Sequence, residues 1–189
     1  MRSTILTFAF LLNTAWAFCQ EDVFSNKTNV ALEKVIRDYP NRFHNIRGEM
    51  ITQNPQTAEY KSTITVPGAI SSIWKYSSSN NEVYSWSCTT YNSKDFMTAR
   101  AKFKEVYDQI ENSIIKVDGQ KPFILNAQYR TPTELRNMNM IPFELLPVIE
   151  DMKNLKIDLI LEKENNTWKV KLNVYDGDRK INSATVAVQ

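Results

Sequence analysis

The stretch "VYSWSCTTY", Val83–Tyr91, alternates with a period of two: Tyr84, Trp86, Cys88 and Thr90 share one face, and Ser85, Ser87 and Thr89 share the other. Only an extended strand sends successive side chains to opposite faces, so this stretch commits the chain to a sheet with two different sides. The pattern returns near the C-terminus in "LKIDLILE", "TWKVKLNVY" and "KINSATVAV", parted by the polar turns "KENN" and "DGDR". Three alternating runs with short breaks predict a three-stranded antiparallel meander. "FHNIRGEMIT", Glu59–Val66, "AISSIWKY" and "KPFILNAQY" supply further strand candidates, with Pro67-Gly68 as a turn between them.

Two stretches carry the other period. From Lys94 to about Lys116 the apolar positions Phe96, Ala99, Phe103, Val106, Tyr107, Ile110 and Ile114 are separated by steps of three and four, which predicts one long amphipathic helix introduced by Asn92 and Ser93 and broken by Asp118-Gly119. Such a helix is about 33 Å long. Asn29 to Asp38 predicts a short N-terminal helix with Val30, Leu32, Val35 and Ile36 near one side and Thr28 or Asn29 as N-cap. Tyr39 precedes Pro40, which pushes it out of the helical region and ends that helix. The expected fold is α+β: a curved antiparallel sheet of about six to eight strands, covered by one long helix, with a short helix before it. At about 4.8 Å per strand, a sheet of six or seven strands is narrow enough for the long helix to cover most of it. Between Arg130 and Asn154 the pattern turns irregular, with Pro132, Pro142 and Pro147 interrupting it. A long apolar-rich connection inside a compact domain is more often functional than decorative.

The first residues, "MRSTILTFAFLLNTAWAFCQ", place Arg2 before an apolar run from Ile5 to Phe18, the pattern of a cleavable secretory signal. The run is too short for a spanning helix, and "EDVFSNKTN" follows at once. Cleavage after Ala17 or after Cys19 satisfies the small-residue rule, and the second is preferred, so residues 1–19 are expected to be a signal peptide and residues 20–189 a single domain. The preferred cut leaves Cys88 as the one remaining cysteine and rules out an internal disulfide despite export. Stability must then come from an ordinary core. A mature chain of about 170 residues buries roughly 70% of its unfolded surface. With 42% apolar residues, 11% aromatic residues and 4 glycines, the composition is that of a packed globule. Loss of the signal removes Arg2 and no acid, taking the formal charge from +2 to +1. A near-neutral, mixed balance provides no basic stripe for phosphate backbones, so nucleic acid is not an expected partner.

The usual catalytic constellations are missing from the sequence. His44 is the single histidine, and no Gly-x-Ser-x-Gly elbow or His-Glu-x-x-His accompanies it, so it reads as structural. Cys88 shares a strand face with Tyr84 and Trp86 and reads as core. "YDGDR", Tyr175–Arg179, holds too few oxygen ligands for calcium and reads as a turn. No metal site, cofactor or glycine-rich phosphate loop is expected. Acid pairs such as Glu150-Asp151 leave carboxylate chemistry open, because the separation that counts is spatial. Asn26-Lys-Thr28 and Asn165-Asn-Thr167 match glycosylation sequons, which matter only in a eukaryotic secretory pathway.

Aromatic residues on strands either fill a core or line a ligand face. Trp74 and Tyr76, beside the polar tract "SSSNNE", are candidate ligand contacts, as are Phe143 and Leu146 within the irregular connection. Taken together, the signal ending in "FCQ", the "DYPNRFHNIRGE" segment, the "YSWSC" strand and the "FKEVYDQIENSI" helix resemble a group of small exported proteins of Bacteroidota whose function is not established. The resemblance implies a periplasmic or extracellular setting and brings no catalytic residues with it. The order of elements is also reminiscent of secretion-chaperone-like α+β folds, a likeness that does not fix function. The expectation is an exported, non-catalytic binding or assembly protein of the cell envelope. It would hold a protein, peptide or small apolar ligand between the sheet and the Arg130–Asn154 connection, with no transmembrane segment in the mature form. The alternative is a small carboxylate-dependent hydrolase of envelope polymers.

Overall fold

The computed structural model describes residues 27–77 and 81–177. They form a nine-stranded sheet in the order β1-β2-β3-β4-β9-β8-β7-β6-β5, with every neighbouring pair antiparallel. The strands are β1 (Arg47–Gln53), β2 (Thr57–Ser62), β3 (Ile70–Ser77), β4 (Glu82–Ser93), β5 (Ile114–Ile115), β6 (Phe123–Asn126), β7 (Met138–Leu146), β8 (Leu155–Glu164) and β9 (Thr167–Asp176). Two α-helices, α1 (Lys27–Asp38) and α2 (Phe96–Ile110), and two short 3-10 helices, Tyr39–Asn41 and Glu150–Met152, complete the described fold.

This architecture corrects the expected one. The sheet has nine strands instead of six to eight, and no long helix covers it. Fifteen residues make α2 about 22 Å long, whereas nine strands span about 38 Å. Accordingly α2 packs mainly on β4, β9 and β8, reaching β7 through Tyr107 on Phe143, and α1 packs beside α2. The helix stops early because Asn112 adopts a left-handed φ of 60°, after which Ile114–Ile115 pairs with β6. The amide of Asn112 donates to the Leu125 carbonyl at 2.9 Å, and that of Leu125 donates to the Ser113 carbonyl at 3.0 Å. Ile114 continues the helical stripe in sequence, yet it is 59% exposed. The N-cap is Asp95, whose carboxylate accepts from the Thr98 amide. Thr28 and Asn29 lie inside the first turn of α1 instead of capping it, and Val30 is exposed.

The other periodic readings hold to within a few residues. On the inner face, Ile73, Trp86, Cys88, Val170, Leu172, Val174, Leu159 and Leu161 are buried against Phe96, Ala99, Phe103, Val106 and Ile110 of α2. Phe96 and Trp168 meet at 4.9 Å between ring centroids. Along β4 the alternation breaks at a bulge between Thr89 and Tyr91, where Thr90 Oγ1 donates to the Val170 carbonyl. The bulge turns Tyr91 inward, in register with Val170. β8 and β9 are joined by Asn165 and Asn166 at φ 48° and 60°, the left-handed pair that a two-residue hairpin requires and asparagine tolerates. The expected third strand of the meander, within 180–188, lies outside the described residues. β9 has β4 at its second edge.

The Arg130–Asn154 connection is not irregular throughout, because it contains β7. Pro142 hid the strand, since proline removes a ladder donor and is tolerated only at edges and bulges. The structure meets that condition: β8 pairs with Met138–Phe143, while β6 pairs only with Glu144, Leu145 and Leu146. Over Met138–Phe143, β7 is therefore a sheet edge among the described residues.

The His44 segment is a loop held by a buried acid. Asp38 is 6% exposed. Its Oδ2 accepts from the Asn45 and Ile46 amides at 3.0 and 3.2 Å, and its Oδ1 from the Asn41 and Asn45 side-chain amides at 3.1 and 2.6 Å. These bonds hold Arg42 and Phe43 at φ 54° and 55°, a left-handed geometry that costs a non-glycine residue about 1–2 kcal/mol. Phe43 is buried as a result, while His44 faces solvent. Asp38→Ala is expected to lower the free energy of unfolding by about 3 kcal/mol, since buried donors lose their acceptor. Urea denaturation measures it, and a loss under about 0.5 kcal/mol would show that the loop is held by other means.

Candidate functional site

The four residues singled out from sequence do not converge. Trp74 and Tyr76 stack at 6.2 Å on the outer face of β3, the side away from the helices. β3 lies four strands from β7 in the sheet order, about 19 Å. Phe143 points the other way, into the core, where its ring lies 5.7 Å from that of Tyr107. Leu146 is exposed and pairs with Ile124, itself opposite Ile114.

Two clefts bear on function. One, of about 270 Å³, lies at the end of the sheet, lined by Arg42, Glu82, Tyr84, Glu150, Asp151 and Asp176 among others. It brings together the acids that a hydrolase reading requires, but two of them are already engaged. Glu82 accepts from Lys75 and from the Tyr84 hydroxyl, and these bonds hold its pKa below the usual carboxylate range. Glu150 is paired with Lys153. A general acid must retain a proton near neutrality, which needs burial or a like charge. The two carboxyls with raised pKa, Asp158 and Glu162, are on the outer sheet face, not in this cleft. Burial raises Glu162 and so does its bond with Glu164, which that bond and the ammonium groups of Lys169 and Lys171 hold down at about 2. Lys171 ties both acids together.

The other cleft, of about 420 Å³, runs along the open edge of β7. Met140, Ile141, Pro142 and Glu144 form one wall, and Asn126, Ala127, Gln128 and Arg130 form the opposite one. Past Asn126 the chain leaves β7 and is drawn under α2. The Tyr107 hydroxyl donates to the Ala127 carbonyl at 2.9 Å, and the Tyr129 ring packs on that of Tyr107 at 4.9 Å. Burial, followed by the proximity of Glu111, pushes Tyr107 up to about 12, so this donor keeps its proton throughout the physiological range. Lys104 lies 5.6 Å from one ring centroid and 5.0 Å from the other. A wall tied to α2 thus stands opposite a strand edge whose outward side chains, Met138 and Met140, are 55% and 49% exposed. Sequence reading singled out the 130–154 connection but missed this edge. Pro142 was the available signal, because a proline inside an otherwise apolar run marks an edge as well as a break.

On the outer face, Asp158 is buried and its pKa is raised by that burial, although the Tyr175 hydroxyl donates to it at 2.6 Å and opposes the shift. Among the described residues no cluster of histidine, cysteine or acidic side chains could hold a metal ion, and no helix is long and apolar enough to cross a membrane. No family model, curated protein or solved structure matches the chain.

A carboxyl whose pKa is raised on folding binds its proton more tightly in the folded state, so stability falls as pH rises from the ordinary aspartate value through the raised one. Asp158→Asn is therefore expected to raise the melting temperature at pH 7 and to lose that advantage below about pH 4. Thermal melts at both pH values test it, and an equal difference at the two would remove the buried charge as the cause. Tyr107→Phe is expected to cost about 1 kcal/mol and to speed amide exchange in residues 127–130. Unchanged exchange there would mean that packing alone positions the wall.

Proposed function

We propose that this is an exported, non-catalytic binding protein of the bacterial cell envelope that captures an extended peptide along the open edge of β7. One observation carries the reading: β8 pairs with Met138–Phe143, β6 pairs only with the last three residues of the strand, and a cleft of about 420 Å³ borders the edge left between them. An unpaired strand edge carries a row of backbone donors and acceptors, and an incoming strand satisfies them. Exposed methionines adapt to varied apolar side chains, which suits a receptor of peptide backbone more than of one fixed shape. Proteins usually blunt such edges with charge or bulges. β1 does so, with register shifts on either side of Met50 and a Lys61–Glu49 ion pair. Over Met138–Phe143 β7 has neither; its one blunting device is Pro142, which lacks an N–H donor, and Met138 and Met140 are left exposed.

The hydrolase alternative lacks support, because the end cleft holds acids engaged by Lys75, Tyr84 and Lys153 while the acids with raised pKa lie elsewhere. Trp74 and Tyr76 are too distant to share the β7 site. Substituting them is expected to leave peptide capture unchanged.

Hydrogen exchange of the mature protein against a library of unstructured peptides of about ten residues tests the reading. Bound peptides should slow exchange within residues 138–143. Combining Met138→Asp with Met140→Asp should weaken binding at least tenfold and move the melting temperature by under about 3 °C, since both side chains are exposed. Protection elsewhere, or none with any peptide, would reject the β7 site.

A further inference from the structure

Resting on that reading, we infer that the peptide received by β7 alternates apolar and acidic side chains, the apolar ones beside Met138 and Met140 and the acidic ones turned toward Arg130. An added strand sends successive side chains to opposite faces of the sheet. Its backbone bonds are the same for every sequence, so what borders each face selects the peptide. The two faces of the open edge differ. On the outer face Met138, Met140 and Pro142 stand in one line, in register with Glu162, Ile160 and Asp158 of β8. Both methionines are exposed and Ile160 is buried beside them. A side chain placed there meets sulfur and carbon, which suits an apolar group.

On the other face the chain from Asn126 to Thr133 passes along the edge on the α2 side. It is fastened at three points. Asn126 pairs with Glu144, the Ala127 carbonyl accepts from the Tyr107 hydroxyl at 2.9 Å, and the Thr133 amide donates to Asn139 Oδ1 at 3.0 Å. Ala127 and Tyr129 pack against the core, whereas Gln128 and Arg130 are exposed and border the cleft. Charge on this side is positive. Burial raises the pKa of Tyr129, and the cations of Lys104 and Arg100 on α2 oppose that shift, which places both near its hydroxyl. Lys104 is paired with Asp108, but no carboxylate among the described residues pairs with Arg130 or Arg100. Glu144, the acid that borders the cleft, stands past the open stretch, where β6 closes the edge. An arginine at a cleft wall takes a carboxylate through paired, charge-assisted hydrogen bonds, and a lysine-bearing strand would put like charges together there.

The test adds capped peptides of about ten residues to the mature protein, with valine at every second position and glutamate, glutamine or lysine at the others. The glutamate peptide should bind about tenfold tighter than the glutamine peptide, and the lysine peptide weakest of the three. Each bound peptide should slow exchange within residues 138–143. A peptide with the same valines and glutamates in two blocks should lose the advantage, because only alternation presents one kind of side chain to each face. Arg130→Gln should bring the glutamate and glutamine peptides to within about twofold of each other. Lys61→Gln, which removes the same charge five strands from β7, should keep the preference. Equal binding of the three peptides, or of the blocked one, with exchange still slowed at 138–143, would overturn the inference and leave peptide capture standing. A preference that survives Arg130→Gln, or that Lys61→Gln removes equally, would also overturn it, since its source would not be Arg130. No slowed exchange with any peptide would remove the β7 site as well.

Discussion

The pairing of β4 with β9 is the joint on which the molecule depends. β1 to β4 form one run of antiparallel neighbours and β5 to β9 another, and this is the one seam at which the two runs meet. It extends from Ser85–Tyr175 to Ser93–Trp168. The seam is clamped from the inner side by α2, which packs on β4, β9 and β8 together. Trp86 and Cys88 on one strand and Val174 and Leu172 on the other lie in register there, all fully buried. Cys88 thus serves as a small core side chain, its thiol pKa pushed up by burial. Among the described residues no disulfide ties the two runs together, so this long joint, buried from its inner side, has to hold them by packing and backbone pairing.

The same joint determines what happens at the edges. With β8 on one side and β4 on the other, β9 has no free edge. The early end of α2 at Asn112 releases Ile114–Ile115 to pair with β6, and β6 then covers only the last three residues of β7. The open stretch Met138–Phe143 is the consequence of that short pairing. Tyr107 links the clamp to the cleft, for it belongs to α2, packs on Phe143 and holds Ala127 in the opposite wall. The core and the proposed peptide site therefore share a side chain.

Much of this was legible in local sequence. The buried side of α2 from Phe96 to Ile110 follows the three-and-four spacing, the inward residues of β8 and β9 follow the alternation, and Asn165-Asn166 forms the hairpin it suggests. The failures have local causes too. Ile114 fits a helical stripe by spacing although a left-handed Asn112 has already ended the helix. Pro142 breaks the apparent pattern of a strand that tolerates it because its edge is open. Asp38 looks like an ordinary helix-terminal acid, and nothing nearby announces that it accepts four hydrogen bonds from the loop that follows.

By itself the sequence determined most of the helical and extended stretches, though not β5 or β7, and the apolar face of those it showed, and it carries no common catalytic or metal motif. Those properties are written in spacings of two, three and four residues, and the forces that read them act within a turn or a strand. Only the tertiary structure decided that β4 lies beside β9, that Phe143 is core while Met140 borders a cleft, and that β7 keeps an open edge. Ser87 and Asn173 meet across 86 residues of chain. Any two amphipathic strands can satisfy each other's backbone, so the choice among them falls to how all the apolar faces bury at once.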